Sequence, residues 1–232
     1  MQRKIRVPSA VFVFIEAVLW IAIQLTGGEL CRALCYASVL LALCHAIYIY
    51  FENVRGLLIV AALFFTALAD YCLVVLDESP RVLAMIFFSV TQICYALHLG
   101  AGSERKIAHV SARLGAVIAL EIAMLAVIGS SADALSAITM FYFANLVTSL
   151  VVAAARGERL LAVGLLFFIL CDAFVGLEVL ISDYISVSES SILYRLTHTS
   201  INTVWLFYVP SQTLISLSEG IKKKEKPYAR QA

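Results

Sequence analysis

Apolar runs, each long enough to cross a bilayer as a helix, follow one another from residue 10 to residue 217. This succession fixes the class of the chain before any motif is read. A bilayer core of ~30 Å takes about 20 helical residues at ~1.5 Å each. Cutting the sequence at its charges, glycines, prolines and polar clusters leaves eight spans: Ala10 to Leu25, Cys31 to Tyr50, Gly56 to Leu76, Val82 to Leu99, Ala112 to Ile128, Leu135 to Ala155, Leu160 to Ile181 and Ile192 to Leu217. Breaks such as Gly27-Gly28-Glu29 and Glu52-Asn53-Val54-Arg55 are so short that neighbouring helices must run antiparallel. The expected fold is all-α, a polytopic membrane protein of eight transmembrane helices in an antiparallel bundle. Of its 232 residues, 62% are hydrophobic and 14% charged, against roughly 45–50% and 25% in soluble domains. Those proportions exclude a soluble nucleotide-binding or barrel enzyme, a disordered chain and a nucleic-acid binder with a basic groove. No segment outside the spans is long enough to bury a core, so residues 1–232 read as a single transmembrane domain ending in a basic tail, 219–232.

Charge placement orients the bundle. Arg3, Lys4 and Arg6 precede the first span, and Arg55, then Arg105, Lys106 and Arg113, then Arg156 and Arg159 fall in alternate connections. Lys222, Lys223, Lys224, Lys226 and Arg230 follow the last span. The opposite face carries only Arg32, Arg81 and Arg195. By the positive-inside rule both termini are cytoplasmic. The short loops and tails point to a bacterial inner membrane. All six cysteines, Cys31, Cys35, Cys44, Cys72, Cys94 and Cys171, fall within spans and read as packing residues, not as a disulfide framework.

Buried polar residues then narrow the chemistry. Glu16, Asp70, Glu121, Asp172 and Glu178 lie within spans, and each placed centrally costs about 2.5–3.5 kcal/mol on insertion scales. No Lys or Arg occupies the middle of a span, which rules out a retinal Schiff base and leaves these acids to find protons, water or polar neighbours. Counting along the helices puts Asp70 at ~21 Å and Asp172 at ~18 Å from the cytoplasmic face, with His198 near the same level from the other side. Asn202 and Gln92 fall within about two turns of that level. Depth does not say which way a side chain faces, so interhelical hydrogen bonding by each acid alone is an equal expectation. Glu178 lies near the outer boundary, within reach of headgroups.

The third and seventh spans are alike when the aspartates are aligned. Leu63-Phe64-Phe65-Thr66-Ala67-Leu68-Ala69-Asp70 matches Leu165-Leu166-Phe167-Phe168-Ile169-Leu170-Cys171-Asp172 at the first, third, sixth and eighth positions. Two parallel four-helix halves, roughly 1–105 and 106–218, would account for this.

At these residues the chain resembles the YhhN-like family, whose characterised members are lysoplasmalogenases, as a divergent member. The family's Gly-Asp of the third helix is similar to Ala69-Asp70, and its His-x-x-Tyr element to Gln92-Ile93-Cys94-Tyr95. Its Gly-Ala-x-x-Phe with Ser-Asp resembles Gly164-Leu165-Leu166-Phe167 with Cys171-Asp172, and its Tyr-x-x-Ala-Gln-x-Leu-Ile resembles the run from Tyr208 to Ile215. The likeness covers roughly residues 30 to 218. Gln92 stands where the family has His, Ala69 for Gly, Cys171 for Ser and Ser211 for Ala; the change at Gln92 matters most, because an amide positions water but exchanges no proton at pH 7.

The resemblance implies hydrolysis of the vinyl ether of a lysoplasmalogen to a fatty aldehyde and a glycerophospho head group. General acid–base work by Asp70 and Asp172 suits that reaction. Gln92, Tyr95, His198, Asn202, Tyr208 and Gln212 would position substrate or water, with no metal and no cofactor, and the partners are a lysophospholipid and bilayer lipids, not nucleic acid. Other readings stay open. A proton-coupled transporter or a non-catalytic lipid-binding protein would use the same acids. A metal-dependent lipid hydrolase with His45, His198 and an Asp on zinc ranks last, since no His-x-x-x-His pair is present.

Overall fold

A computed structural model describes residues 2–53, 56–76, 80–101, 106–185, 188, 190–197, 199 and 201–220. Every regular element among them is a helix: α1 (Gln2–Leu25), α2 (Gly28–Asn53), α3 (Leu57–Asp70), α4 (Arg81–Gly100), α5 (Lys106–Ile128), α6 (Ala134–Ala155), α7 (Arg159–Val179), α8 (Ile192–Thr197) and α9 (Thr203–Leu217). Seven segments are long and apolar enough to cross a membrane. They correspond to the first seven expected spans, and the chain is a multi-pass helical bundle of the membrane type.

The eighth expected span, Ile192 to Leu217, is not one continuous helix. α8 and α9 are separate, and α9, with 15 residues, reaches only ~22 Å at 1.5 Å per residue. The polar stretch between them explains the break. The Thr199 hydroxyl donates to the Ile201 carbonyl at 2.7 Å, and the Asn202 side chain caps α9 by accepting from the Trp205 amide. Hydroxyl and amide side chains that bond nearby backbone in this way compete with helix continuation.

Two spans finish in a wider coil. α3 runs directly into a π-helical turn, Tyr71–Val75, and α7 into another, Leu180–Tyr184. Each turn is held by one of the few arginines at that end. Arg32 Nε donates to the Val74 carbonyl at 2.8 Å and an Arg32 Nη to that of Val75 at 3.0 Å, satisfying acceptors that the helix end leaves over. Arg81 pairs with Asp183 at 2.7 Å, fastening the start of α4 to the end of the α7 turn.

Contacts arrange α3, α4, α6, α7 and α9 as a closed ring in which each helix packs on the next and α9 returns to α3. α1 and α2 cover the α9–α3 side, and α5 leans on α6 from outside. The main core fills the ring with Phe88, Tyr95, Tyr142, Leu146, Phe168 and Tyr208 among others. Outward apolar side chains such as Phe14, Ile107, Ile122 and Val151 remain exposed, as a lipid-facing surface requires. Gly164 allows α7 and α9 to cross closely. A Cβ there would meet Ile215 Cγ1 at 2.8 Å and the Ser211 carbonyl oxygen at 3.2 Å. Pro210, inside α9, has no N–H for the Leu206 carbonyl one turn back; Trp20 of α1 donates its indole N–H to that carbonyl at 3.1 Å instead.

Candidate functional site

The ring positions both aspartates. Asp70 closes the α-helical part of α3 after Ala67 and Ala69, small residues that let neighbouring helices approach. It is 4% exposed, and the Tyr208 hydroxyl on α9 donates to its Oδ2 at 2.5 Å. Asp172, on α7, is partly exposed and accepts a short hydrogen bond from the Tyr142 hydroxyl on α6. The two tyrosine rings flank Phe168, with centroids 6.4 Å from Tyr142 and 5.4 Å from Tyr208, both nearly edge-on. Phe88 of α4 packs on Tyr142 and Phe168 from the side, at 5.4 and 6.0 Å. Two carboxyls on separate helices, each gripped by a phenol, are thus joined through one aromatic cluster inside the bundle.

A second layer lies toward the end that carries Arg156 and Arg159, called here the basic end. The Thr66 and Thr91 hydroxyls, 3.3 Å apart, put α3 and α4 in register one turn below Asp70. Gln92 therefore sits ~7 Å and Tyr95 ~12 Å from the level of Asp70 toward the basic end, at ~1.5 Å per residue. Ser211 and Gln212 follow Tyr208 by one turn of α9 in the same direction. Gln92 and Tyr95 are wholly buried and Gln212 is 1% exposed. Both polar atoms of each glutamine, the Tyr95 hydroxyl and the Ser211 hydroxyl find no partner among the described residues. Leaving such a group unsatisfied costs about 1–3 kcal/mol, so this layer is built to hold polar guests, whether water or part of a ligand.

The remaining expected residues are placed differently. Asn202 caps α9, and its backbone exchanges hydrogen bonds with the Gln24 side chain of α1 at 3.0 and 3.2 Å. It therefore lies at the end opposite the basic one, beside exposed Glu178 in a small surface hollow. His198 falls outside the described residues. Glu16, 2% exposed, accepts from Ser38 at 2.6 Å on the α1–α2 side. His45 stacks on Phe12 at 4.0 Å, with ring nitrogens 2.7 Å from Ser216 Oγ and 3.0 Å from Ser9 Oγ. Both groups lie outside the ring.

Sequence reasoning passes over three features. Tyr142 sits in the aromatic run Phe141-Tyr142-Phe143, where nothing distinguishes it; the usable signal is that a buried acid demands a donor from a facing span. Arg113 sends its guanidinium from α5 to the Asn145 carbonyl and to side chains of Asn145, Thr148 and Ser149, at 3.1–3.2 Å, which fastens the outlying helix. Among the described residues one group of metal-ligating side chains also gathers, His98, Glu158 and Glu219, at the basic end.

An apolar groove of about 480 Å³ runs along the seam of α4 and α6, lined by Ile86, Ser89, Val90, Ile93, Ala137, Ile138 and Phe141. Ser89 and Phe141 are the chain neighbours of Phe88 and Tyr142, so the groove runs along the two helices that carry those core rings. The family model of the YhhN family matches residues 30–219. No curated protein and no solved structure matches the chain.

Proposed function

The chain belongs to the YhhN family, and on that premise we propose that it is a membrane lipid hydrolase of the lysoplasmalogenase kind, acting on the vinyl ether of a single-chain lipid. The observation that carries the reading is the pair Asp70 and Asp172, each accepting from a tyrosine, with both tyrosine rings packed on Phe168.

Such a pair divides the labour of acid and base. One carboxyl gives its proton to the β-carbon of the vinyl ether, turning the double bond into an oxocarbenium ion at the α-carbon. The other, ionised, faces that cation and takes a proton from the water that adds to it. The resulting hemiacetal collapses, its hydroxyl proton passing to the departing glycerol oxygen, to give fatty aldehyde and the glycerophospho product. One water is consumed and the carboxyls recover their original proton count. Tyr142 and Tyr208 fix the orientation of the two acids. Gln92, Tyr95 and Gln212 hold the polar portion of the substrate or the attacking water, and Gln92 does so without the proton exchange that the family's imidazole allows. The groove between α4 and α6 admits the acyl chain sideways from the bilayer. The basic end faces the cytoplasm by its charge excess, in keeping with a bacterial inner membrane.

The test is aldehyde release by the purified protein from a lysoplasmalogen in mixed micelles. Asp70→Asn and Asp172→Asn should each abolish it while helicity and elution volume stay unchanged. Full turnover in both variants sinks the assignment. The layer of unpaired polar groups leading from the acids toward the basic end favours one alternative, a proton-coupled carrier. Proteoliposome flux without turnover, lost in the same variants, would establish that alternative.

A further inference from the structure

At the basic end the side chains of His98, Glu158 and Glu219 offer one ligand atom each, and these atoms lie within 4.8 Å of one another. His98 comes from the last turn of α4, Glu158 immediately precedes α7, and Glu219 follows α9. They are far apart in sequence, and the fold alone assembles them. Their side chains are 13%, 13% and 6% exposed. Local structure prepares the place. Glu158 stands at the N-terminus of α7, where the helix dipole favours a carboxylate. Gly56, at φ +83°, begins α3 with no side chain, and a Cβ there would lie 2.6 Å from Glu219 Cγ.

The distances at the ring nitrogen also have the dimensions of a cation site. His98 Nε2 is 3.3 Å from Glu158 Oε2 and 3.4 Å from Glu219 Oε1. Ligands at ~2.0–2.2 Å from a tetrahedral centre stand ~3.3–3.6 Å apart along each edge. Both distances from Nε2 therefore have the length of a tetrahedron's edges. Arg156 Nε lies 3.8 Å from the other oxygen of Glu158, Oε1, and the same guanidinium donates to the Leu99 and Ala101 carbonyls at the end of α4. It thus orients the carboxylate from behind, on the side away from His98.

We propose that His98, Glu158 and Glu219 bind one divalent cation of the zinc class. Imidazole and carboxylate ligands suit such an ion, and a fourth position is left for water. Through Gly56 the site touches α3 as well, so the ion ties together α3, α4, α7 and α9, the helices that carry Asp70, Gln92, Tyr95, Asp172, Tyr208 and Gln212. Its role is to hold the ring closed at this end. The inference stands apart from the reading of the aspartates.

The experiment uses the full chain in mild detergent, stripped with EDTA and titrated with Zn2+ while bound metal and thermal unfolding are measured. One equivalent should bind, and the unfolding midpoint should climb with free Zn2+. His98→Ala, Glu158→Gln and Glu219→Gln should each lose that equivalent and the dependence of the midpoint on zinc. A variant that does not fold is bypassed by His98→Cys, which keeps a ligand. Loaded with Co2+, it should gain a thiolate charge-transfer band that the parent lacks. The Cys31 and Cys35 thiols, 4.0 Å apart, are the competing zinc ligands, and Cys31→Ser with Cys35→Ser should leave binding intact. The proposal is overturned by folded parent protein that binds no stoichiometric Zn2+, by binding unchanged in all three ligand variants, by binding lost with the cysteines, or by a His98→Cys cobalt form without the new band.

Discussion

Replacing Tyr208 by Phe removes one oxygen from the core and leaves the ring that packs on Phe168 and Trp205 in place. The lost interaction is the 2.5 Å hydrogen bond to Asp70, an acid only 4% exposed. A hydrogen bond to a charged partner is worth about 1.5–3 kcal/mol, and burial deprives Asp70 of water as a replacement, which places this bond in the upper half of that range. If Asp70 works through the orientation Tyr208 imposes, the same energy appears in turnover. At about 1.4 kcal/mol per decade, aldehyde release by Tyr208→Phe should fall roughly 40- to 140-fold. The decisive comparison is a double-mutant cycle with Asp70→Asn read by thermal unfolding, since the aspartate variant has no activity to lose. Once the carboxylate is gone, Tyr208→Phe should cost well under half of what it costs in the parent. Equal losses in the two backgrounds, or a single variant with parental turnover and unfolding midpoint, would refute the coupling of Tyr208 to Asp70.

Tyr142→Phe, which removes the hydroxyl that donates to Asp172, should lower turnover in the same direction, about tenfold; aldehyde release measures it. Gly164→Ala should destabilise the protein by about 1–3 kcal/mol through overpacking against Ile215 and the Ser211 carbonyl, seen as a lower unfolding midpoint. Trp20→Phe strands the Leu206 carbonyl that Pro210 already leaves without a helix donor and should cost about 1–3 kcal/mol by the same measurement. Gln92→His restores the family's residue and should raise aldehyde release and add an ionisation near neutral pH to the pH profile.

How far the sequence announces all this depends on the kind of signal each part leaves. Seven spans are legible because twenty apolar residues between charges have few other uses. The break before α9 is not, since Thr, His, Ser and Asn in a short run are compatible with either a polar helix face or a cap. Asp70 and Asp172 stand out through the expense of a charge in an apolar span, and their depth is countable. Their facing is not, because α3 and α7 are apolar on nearly every side and carry no stripe that marks the inside. Tyr142 is hidden for the same reason. The cluster of His98, Glu158 and Glu219 is invisible in sequence because its members sit at three helix ends that only the closed ring brings together.

For the proposed substrate, a molecule with two incompatible ends, the ring offers two different surroundings. On the α4–α6 seam the surface is apolar and opens to lipid beside Phe88 and Tyr142. From Asp70 toward the basic end the interior changes to Gln92, Gln212, Ser211 and Tyr95, whose unpaired groups disfavour an acyl chain and welcome hydroxyls or water. A single-chain ether lipid that enters tail-outward through the seam would place its vinyl ether at the junction of the two regions, where the aspartates lie, and its glycerol oxygens in the polar layer. The orientation follows from the cost of the reverse: a glyceryl head in the groove would lose its hydrogen bonds, and a tail among the glutamines would leave theirs unmade. Widening the seam with Phe141→Ala should then relax the preference for chain length without altering the pH dependence of turnover, whereas Gln212→Leu should weaken binding of the head group and spare chain selection. If both variants changed the same parameter, tail and head would share one undivided cavity and the two-region account would be wrong.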